Sequence, residues 1–213
     1  MRRRFLLVFA AALLAAVPAL SAAQSFDELL KAVNAGDTET VGLLLSKGLD
    51  PDTADPDGNT LLMTAARLGQ QDMVSLLIKW KARVAQRSAH GDTALMMACL
   101  KGHIEIAKLL IAHGAQVRQS GWTPLHYAAF EGRAEVIKFL MEKGADKDAL
   151  APNGFTALML AARGGHLEAA RALLYDDADF TIKGPKGETA LGIAKARKDD
   201  PLIALLTRAG AKD

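Results

Sequence analysis

One pattern recurs along this chain at an almost constant spacing, and it limits the possible fold more than any other feature. Glycine occupies five positions that are 33, 30, 33 and 33 residues apart, namely Gly58, Gly91, Gly121, Gly154 and Gly187. A threonine follows two residues after each glycine, and a leucine recurs with the same steps at Leu77, Leu110, Leu140, Leu173 and Leu206. Repetition with a period of about 20–50 residues indicates a solenoid or a repeat array. The chain therefore predicts a stack of similar units.

Residues 121–146 show how one such unit is built. Thr123 can accept a hydrogen bond as a helix N-cap, and Pro124 follows at the first helical position, where a missing N–H has no cost. Gly132 and Gly144 can each end a helix, because glycine enters the left-handed conformation without steric strain. The apolar residues between these points follow helical spacing. Each unit therefore predicts two short helices joined by turns.

The segment from Thr123 reads T-P-L-H-Y-A-A, and together with the 33-residue period it resembles the ankyrin repeat from about Phe26 to Ala211. The resemblance implies an all-α solenoid of about six helix-turn-helix units, with β-hairpin or turn fingers along one side. We place a repeat domain at residues 24–213. Its units lie at about 26–54, 55–87, 88–117, 118–150, 151–183 and 184–213.

Three departures from the repeat carry their own expectations. The chain between Gly114 and Gly121 is three residues shorter than the equivalent connection in the next unit, which predicts a truncated finger beside Trp122. Lys81 stands where other units have glycine, so its helix must end differently unless Lys81 adopts the left-handed conformation, at about 1 kcal/mol. Asp27 falls at the position of the capping threonines and is expected to cap the first helix.

Two kinds of residue break the motif at positions that we expect to be buried. The single cysteine, Cys99, stands where other units have a small alanine, and one thiol cannot form an intrachain disulfide. Met63, Met96 and Met159 replace the histidine of the motif. They are expected to thicken the core, although methionine-rich faces also suit adaptable binding.

Residues 1–23 resemble a secretory signal peptide. Three arginines at positions 2–4 precede an apolar run of 13 residues at positions 5–17, and small residues before Gln24 suit cleavage. The run is shorter than the about 20 residues of a membrane-spanning helix. Its composition looks bacterial, so we expect a periplasmic protein without membrane association after cleavage. An uncleaved signal peptide would instead tether the protein to the membrane.

The charge balance argues against a nucleic-acid partner. The whole chain has 26 lysines and arginines against 24 acidic residues, for a formal charge of +2. Loss of residues 1–23 would remove three arginines and leave 23 against 24, or −1. A nearly neutral chain lacks the basic footprint of nucleic-acid-binding proteins. We expect a monomer that binds another protein.

The titratable residues do not form a recognisable catalytic or metal-binding motif. No two of the five histidines have the i, i+4 spacing of a helical metal site. The resemblance implies that His103, His126 and His166 bond loop backbone, whereas His113 is expected at a helix C-terminus and His90 at a fingertip. No phosphate-binding loop, nucleophile elbow or paired carboxylates stand out. We therefore expect no enzymatic activity, cofactor or metal site.

The resemblance implies that the fingers and the exposed side of the first helices form a concave surface for a partner. Aromatic residues and arginine are the usual anchors of such interfaces. Phe130 is the strongest candidate because a first-helix position is hard to bury, whereas Trp122 and Phe155 could equally pack between fingers. The predicted partner-binding residues are Arg67, His90, Asp92, Leu100, Lys101, Trp122, Phe130, Glu131, Phe155 and Arg163.

Similarity to exported bacterial ankyrin-repeat proteins leaves three functions open. The first is assistance or protection of a periplasmic enzyme, with peroxide defence and catalase a recurring theme. The second is an immunity protein that blocks a toxin, and the third is a membrane-tethered scaffold. A blocking protein would favour a strongly charged or aromatic groove, which a helper does not need.

Overall fold

The computed structural model describes residues 22–212, which form six pairs of short helices. The first helices of the pairs are α1 (Ala22–Ala35), α3 (Leu61–Leu68), α5 (Ala94–Lys101), α7 (Pro124–Phe130), α9 (Ala157–Gly164) and α11 (Ala190–Arg197). The second helices are α2 (Thr38–Ser46), α4 (Gln71–Lys79), α6 (Ile104–Ala112), α8 (Ala134–Glu142), α10 (Leu167–Tyr175) and α12 (Asp200–Arg208). Each first helix packs on the next first helix, and each second helix packs on the next second helix. The described residues therefore form the all-helical solenoid that the resemblance implies.

The recurring threonines begin the first helices, as the sequence predicts. The side-chain oxygen of Thr60 accepts a hydrogen bond from the backbone N–H of Met63 at 3.2 Å, and Thr123 does the same for His126 at 3.3 Å. Such caps satisfy backbone donors that have no partner inside the helix. The expectation for Asp27 is wrong, because α1 already begins at Ala22 and places Asp27 within the helix.

The helix end at Lys81 follows one of the two expected alternatives. Lys81 has a φ of 69°, in the left-handed region that glycine occupies at the same position of other units. Gly114 and Gly144, its counterparts, have φ values of 93° and 78°. In the fifth unit Asp177 takes the same conformation, with a φ of 57°. The helix end is thus preserved at the cost of local backbone strain.

The core is a continuous layer of leucine and alanine side chains between the two rows of helices. Cys99 is fully buried in it, and burial raises the pKa of its thiol. Met63, Met96 and Met159 are buried as well, which confirms that they thicken the core. The Met96 sulfur also accepts a hydrogen bond from the Thr93 backbone N–H at 3.3 Å. Met96 therefore occupies the position of the motif histidine and also accepts the hydrogen bond that His126 accepts in the fourth unit.

Of the two predicted forms of the fingers, β-hairpin or turn, the described residues show tight turns and contain no strand. Their one isolated bridge joins Ala54 and Thr60. In each full-length finger the first residue donates a backbone hydrogen bond to the fifth, from Asp55 N to Asn59 O at 3.1 Å, Ser88 N to Asp92 O at 2.9 Å, Ala151 N to Phe155 O at 2.9 Å and Gly184 N to Glu188 O at 2.8 Å. A second bond runs from the glycine at the fourth position back to the first residue, for example from Gly58 N to Asp55 O at 2.9 Å. These two bonds close a turn but do not build the ladder of a strand pair.

The shortened connection before the fourth unit is closed in another way. The side-chain amide of Gln119 donates a hydrogen bond to the Trp122 carbonyl oxygen at 2.6 Å. Its oxygen accepts one from the Arg87 guanidinium of the preceding finger at 2.9 Å. The Gln119 side chain thus replaces the backbone hydrogen bonds of the longer fingers and holds Trp122 in place.

The predicted signal peptide, residues 1–23, lies outside the described residues except for Ala22 and Ala23, which begin α1. Among the helices of residues 22–212, none combines the length and apolar character needed to cross a bilayer.

Candidate partner-binding groove

The exposed ends of the first helices line up along the stack, because equivalent residues of successive units lie on neighbouring helices. One equivalent position, in the last turn of each helix, is occupied by Arg67, Leu100, Phe130, Arg163 and Ala196. Since each first helix packs on the next, these residues form a row from α3 to α11. We call this row, together with the fingers beside it, the groove. Its centre is apolar, and an arginine stands on each side of that centre.

A pocket of about 430 Å³ opens in the middle of the groove and is lined by Leu100, Trp122, Tyr127, Phe130 and Glu131. We call it the central pocket. The Phe130 side chain is 52% exposed there, although a solenoid of this kind buries most of its large apolar residues. The Trp122 ring is half-buried and meets the rings of His126 and Tyr127 edge-on, at centroid distances of 5.8 and 6.0 Å. Trp122 therefore both packs against the core and lines the pocket.

Side chains from the following unit hold the row in position. The Nε2 atom of His166 donates to the carbonyl oxygen of Phe130 at 3.0 Å, and Arg133 donates from Nε to the carbonyl oxygen of Leu100 at 3.1 Å. His103 makes the same contact with the carbonyl oxygen of Arg67 at 3.3 Å. These carbonyls lie at helix C-termini and lack partners within the helix. His103 and His166 thus bond backbone as implied, but at the end of a helix rather than in a loop.

His126 fixes the fourth unit to the finger that follows it. Its Nδ1 accepts a hydrogen bond from the Thr123 backbone N–H at 3.1 Å, and its Nε2 donates to the Ala149 carbonyl oxygen at 2.9 Å. Burial lowers the pKa of His126, and the Ala149 bond and the Asp146 charge oppose that effect less strongly. The imidazole is therefore neutral, with its proton on Nε2, and its implied structural role is confirmed.

Tyr127 and Asp92 form a hydrogen bond between units, in which the tyrosine hydroxyl donates to the carboxylate. Burial raises the pKa of Tyr127, and the hydrogen bond to Asp92 and the negative charge of that residue raise it further. Asp92, which the sequence predicts to contact a partner, is thus engaged within the protein. It holds Tyr127 against the wall of the central pocket.

A second pocket, of about 670 Å³, lies one unit further along the groove and contains Phe155, Arg163, Lys186, Ile193 and Arg197 among its lining residues. We call it the basic pocket. The Arg163 guanidinium lies over the Phe155 ring, 5.8 Å from its centroid. A cation above an aromatic face is held by the negative charge density of the ring. Phe155 therefore positions Arg163 at the edge of this pocket.

The remaining predicted residues lie outside the two pockets or contact the protein itself. His90 is exposed in the third finger, and its backbone N–H donates to the Ser88 hydroxyl at 3.3 Å. Lys101 is exposed at the end of α5. Glu131 lies on the rim of the central pocket and pairs with Arg133 at 3.6 Å. His113 caps α6, with its Nδ1 2.9 Å from the Leu109 carbonyl oxygen, as expected.

Two cationic residues of the basic pocket, Arg197 and Lys186, were not predicted as partner contacts. Arg197 belongs to the sixth unit, where basic side chains suit the exposed face of a terminal repeat, and Lys186 lies in the finger of that unit. The signal that could have identified Arg197 is its register, one residue after the row position. Among the described residues, no group of histidine, cysteine and acidic side chains is arranged to hold a metal ion.

A stack of helix pairs with an exposed groove along its first helices defines a repeat module for protein–protein interaction. The family model described as Ankyrin repeats (3 copies) matches residues 29–120 and 81–151, and the model described as Ankyrin repeat matches residues 153–185. The chain therefore belongs to the ankyrin repeat family.

Two curated proteins are similar in sequence to part of this chain. Protein phosphatase 1 regulatory subunit 27 from Mus musculus is 35% identical over 118 residues, which is 55% of this chain and 57% of the relative. Palmitoyltransferase AKR1 from Lachancea kluyveri is 31% identical over 133 residues, or 61% of this chain and 14% of the relative. The chain thus spans just over half of the regulatory subunit and a small part of the palmitoyltransferase.

The fold is also that of a solved structure. The human ASB11 ankyrin repeat domain superposes with a TM-score of 0.80 at 24% identity, covering 86% of this chain and 84% of that chain. At this identity the similarity concerns the fold alone.

Proposed function

We propose that this chain is a non-catalytic module that binds a partner protein in its groove. The central pocket carries the proposal, because it gathers apolar and aromatic side chains from neighbouring units at the centre of the groove. Phe130 is 52% exposed there, next to the half-buried Trp122, Tyr127 and Leu100. Aromatic residues in a pocket are typical of the energetic centre of protein interfaces. The similarity to a phosphatase regulatory subunit supports a module that acts on another protein.

The test is capture of a partner by the purified protein from periplasmic extract. The variant W122A/F130A/F155A should lose that partner while it keeps the helical circular dichroism of the original protein. Tyr175→Ala is the matched control, because Tyr175 is an aromatic side chain with 88% exposure on α10, outside the groove. Capture that survives in the triple variant contradicts the assignment of the groove.

For the location of the protein, we propose export to the bacterial periplasm. The support is the charged start, apolar run and small residues of positions 1–23. N-terminal sequencing of the protein from its host tests this proposal. A mature terminus at or near Gln24 supports a free periplasmic protein, whereas a terminus at Met1 supports the membrane-tethered scaffold.

For the role in that compartment, we propose assistance or protection of an enzyme, such as one of oxidative-stress defence. Inhibition of a toxin is the second candidate, and one observation favours it. The groove is aromatic at its centre and basic at one end, as suits a surface that covers an active site. The activity of the captured partner distinguishes the two, since an inhibitor lowers it and a helper preserves or raises it. Phe130→Ala should weaken either effect.

A further inference from the structure

We propose that the groove selects a partner segment in which a large apolar side chain lies close to aspartate or glutamate residues. This inference rests on the proposed function and names the chemistry of the partner. The apolar side chain would occupy the central pocket, and the carboxylates would lie over the basic pocket.

The cations of the groove are exposed. They are Arg67, Lys101, Arg163, Lys186 and Arg197. Among the side chains described for residues 27–212, no carboxylate forms an ion pair with any of these five. The groove therefore presents positive charge that the protein itself does not neutralise.

The carboxylates near the pockets, in contrast, are engaged. Asp92 accepts the hydrogen bond of Tyr127, and Glu131 pairs with Arg133 at 3.6 Å. Glu188, at the basic pocket, accepts the backbone N–H of Lys186 at 2.8 Å. These three carboxylates keep their negative charge, but the five cations outnumber them, so the groove is locally positive on a chain whose formal charge is only +2. A positive surface favours a negatively charged partner in both encounter and binding.

The two pockets lie in sequence along the groove. Phe130 of the central pocket is on α7 and Arg163 of the basic pocket is on α9, and these helices pack on each other. A segment that follows the row therefore meets the apolar pocket and then the arginines. Arginine binds carboxylates through two parallel hydrogen bonds, and Arg163 is already positioned by the Phe155 ring. Preorganisation of this kind reduces the entropy lost on binding.

A peptide fits these observations better than a nucleic acid does. The centre of the row is apolar, and Glu131 lies on the rim of the central pocket. A nucleic acid would need positive charge along its whole track, because its phosphates follow at regular intervals. The positive charge here flanks an apolar centre instead. An acidic peptide with one apolar anchor satisfies both parts.

The experiment is selection of random linear peptides, displayed on phage, against the purified protein. Enriched peptides should carry Leu, Met or Phe close to Asp or Glu. Their binding should weaken with added NaCl, which screens exposed charges, and in the variant Phe130→Ala. The variant R163E/R197E should lower their affinity about tenfold or more, because like charges then face each other. Selection against that variant should enrich Lys and Arg instead.

Arg208→Glu is the matched control for these substitutions. Arg208 is exposed in the last turn of α12, as Arg163 and Arg197 are in the last turns of α9 and α11. This variant makes one of the same charge reversals at an equivalent place in a helix, but outside the groove, and should leave peptide affinity unchanged. Circular dichroism shows whether each variant is folded. If R163E/R197E unfolds, the neutral variant R163Q/K186Q should still lower the affinity.

Several results would overturn the inference. Peptides that depend on Phe130 but show no acidic preference refute it and leave the proposed function standing. Peptides that bind independently of Phe130, or no enrichment at all, refute this inference and count against the groove as well. A further contrary result is that fluorescent single-stranded oligothymidylate binds more tightly than the selected peptides and loses that binding in R163E/R197E. That result would identify a nucleic acid, and not an acidic peptide, as the ligand of the groove.

Discussion

The hydroxyl of Tyr127 on α7 donates a hydrogen bond to the carboxylate of Asp92, which lies in the finger of the preceding unit. Tyr127 lines the central pocket, so this bond fixes a wall of the pocket to a neighbouring finger. The geometry of the groove therefore depends on a contact between units, and not only on the packing within each unit.

Tyr127→Phe should lower the free energy of unfolding by about 1 kcal/mol, because it removes one hydrogen bond and leaves the Asp92 carboxylate without its donor. Urea unfolding followed by circular dichroism measures the change. Tyr175→Phe is the control, since Tyr175 is 88% exposed. Equal stability of the two variants would show that the Tyr127 bond contributes nothing.

The same bond predicts a pH dependence of stability. Burial, and then Asp92, raise the pKa of Tyr127 in the folded protein, whereas the ordinary value for tyrosine is about 10. The unfolded chain therefore loses the phenolic proton first, and the contribution of Tyr127 to stability declines as the pH rises above about 10.

The variant Tyr175→Phe makes this titration specific, because the chain contains only 2 tyrosines. Its phenolic absorbance should then report Tyr127 alone and should titrate above the ordinary range while the protein stays folded. Tyr127→Phe should remove the associated fall in stability. A folded-state titration near pH 10 would contradict the prediction.

His126→Met tests the role of the motif histidine with a residue that the chain itself uses at that position. Met96 accepts the equivalent backbone hydrogen bond from Thr93, so the variant should lose mainly the bond to Ala149, at about 1 kcal/mol. Burial lowers the pKa of His126, and its stabilisation is therefore present above the ordinary pKa of about 6.5 and is lost as the pH falls.

The difference in stability between the original protein and His126→Met should thus shrink from neutral to mildly acidic pH. Urea unfolding at each pH measures that difference. A difference that stays constant or grows on acidification would show that His126 is not held in its neutral form.

Two glycines inside helices should respond oppositely to alanine. Nothing lies within 4 Å of a Cβ placed on Gly42 in α2, so Gly42→Ala should stabilise the protein by about 0.5–1 kcal/mol through helix propensity. A Cβ on Gly164 would lie 2.3 Å from the His166 ring. Gly164→Ala should therefore destabilise by about 1–3 kcal/mol.

Gly164→Ala should also displace His166 from the Phe130 carbonyl oxygen and weaken partner binding. Thermal unfolding and a binding assay measure the two effects. A Gly164→Ala protein as stable as Gly42→Ala would mean that the His166 ring moves aside without cost.

Lys81→Gly should stabilise the protein by at most about 1 kcal/mol, because it removes the strain of a left-handed non-glycine residue but adds freedom to the unfolded chain. Asp177→Gly provides a second measurement at the equivalent position, where φ is 57°. Urea midpoints give both values. A clear loss of stability in both variants would show that the left-handed conformation of Lys81 and Asp177 is not strained.

Local rules predict much of the fold from the sequence. The threonine caps, the left-handed Lys81 and the buried Met63 follow from the chemistry of single positions. The sequence left open whether the fingers are β-hairpins or turns, because repeat spacing shows that a finger exists but not how its backbone groups pair. The prediction that Asp27 caps the first helix was wrong because α1 begins upstream of the repeat pattern.

The groove was less accessible to sequence reasoning, because its details depend on contacts between units. The bond between Tyr127 and Asp92 joins residues 35 positions apart, and no spacing rule assigns partners to two polar side chains. Arg197 has the features of a solubilising residue of a terminal repeat, and only the folded structure places it in the same pocket as Phe155. The exposure of Phe130 was easier to anticipate, since it follows from its place on one helix.

His103, Arg133 and His166 all reach backwards, each to the helix of the preceding unit. The stack therefore has a polarity. Deleting units from the C-terminal side removes the side chain that donates to the last remaining first helix, and the carbonyl oxygen at the end of that helix is then exposed. Deleting them from the N-terminal side leaves a side-chain donor of the new first unit without its carbonyl instead, and water can satisfy either group. The two ends of a shortened stack would thus differ in chemistry, one presenting an uncapped helix carbonyl and the other an unpaired side-chain donor.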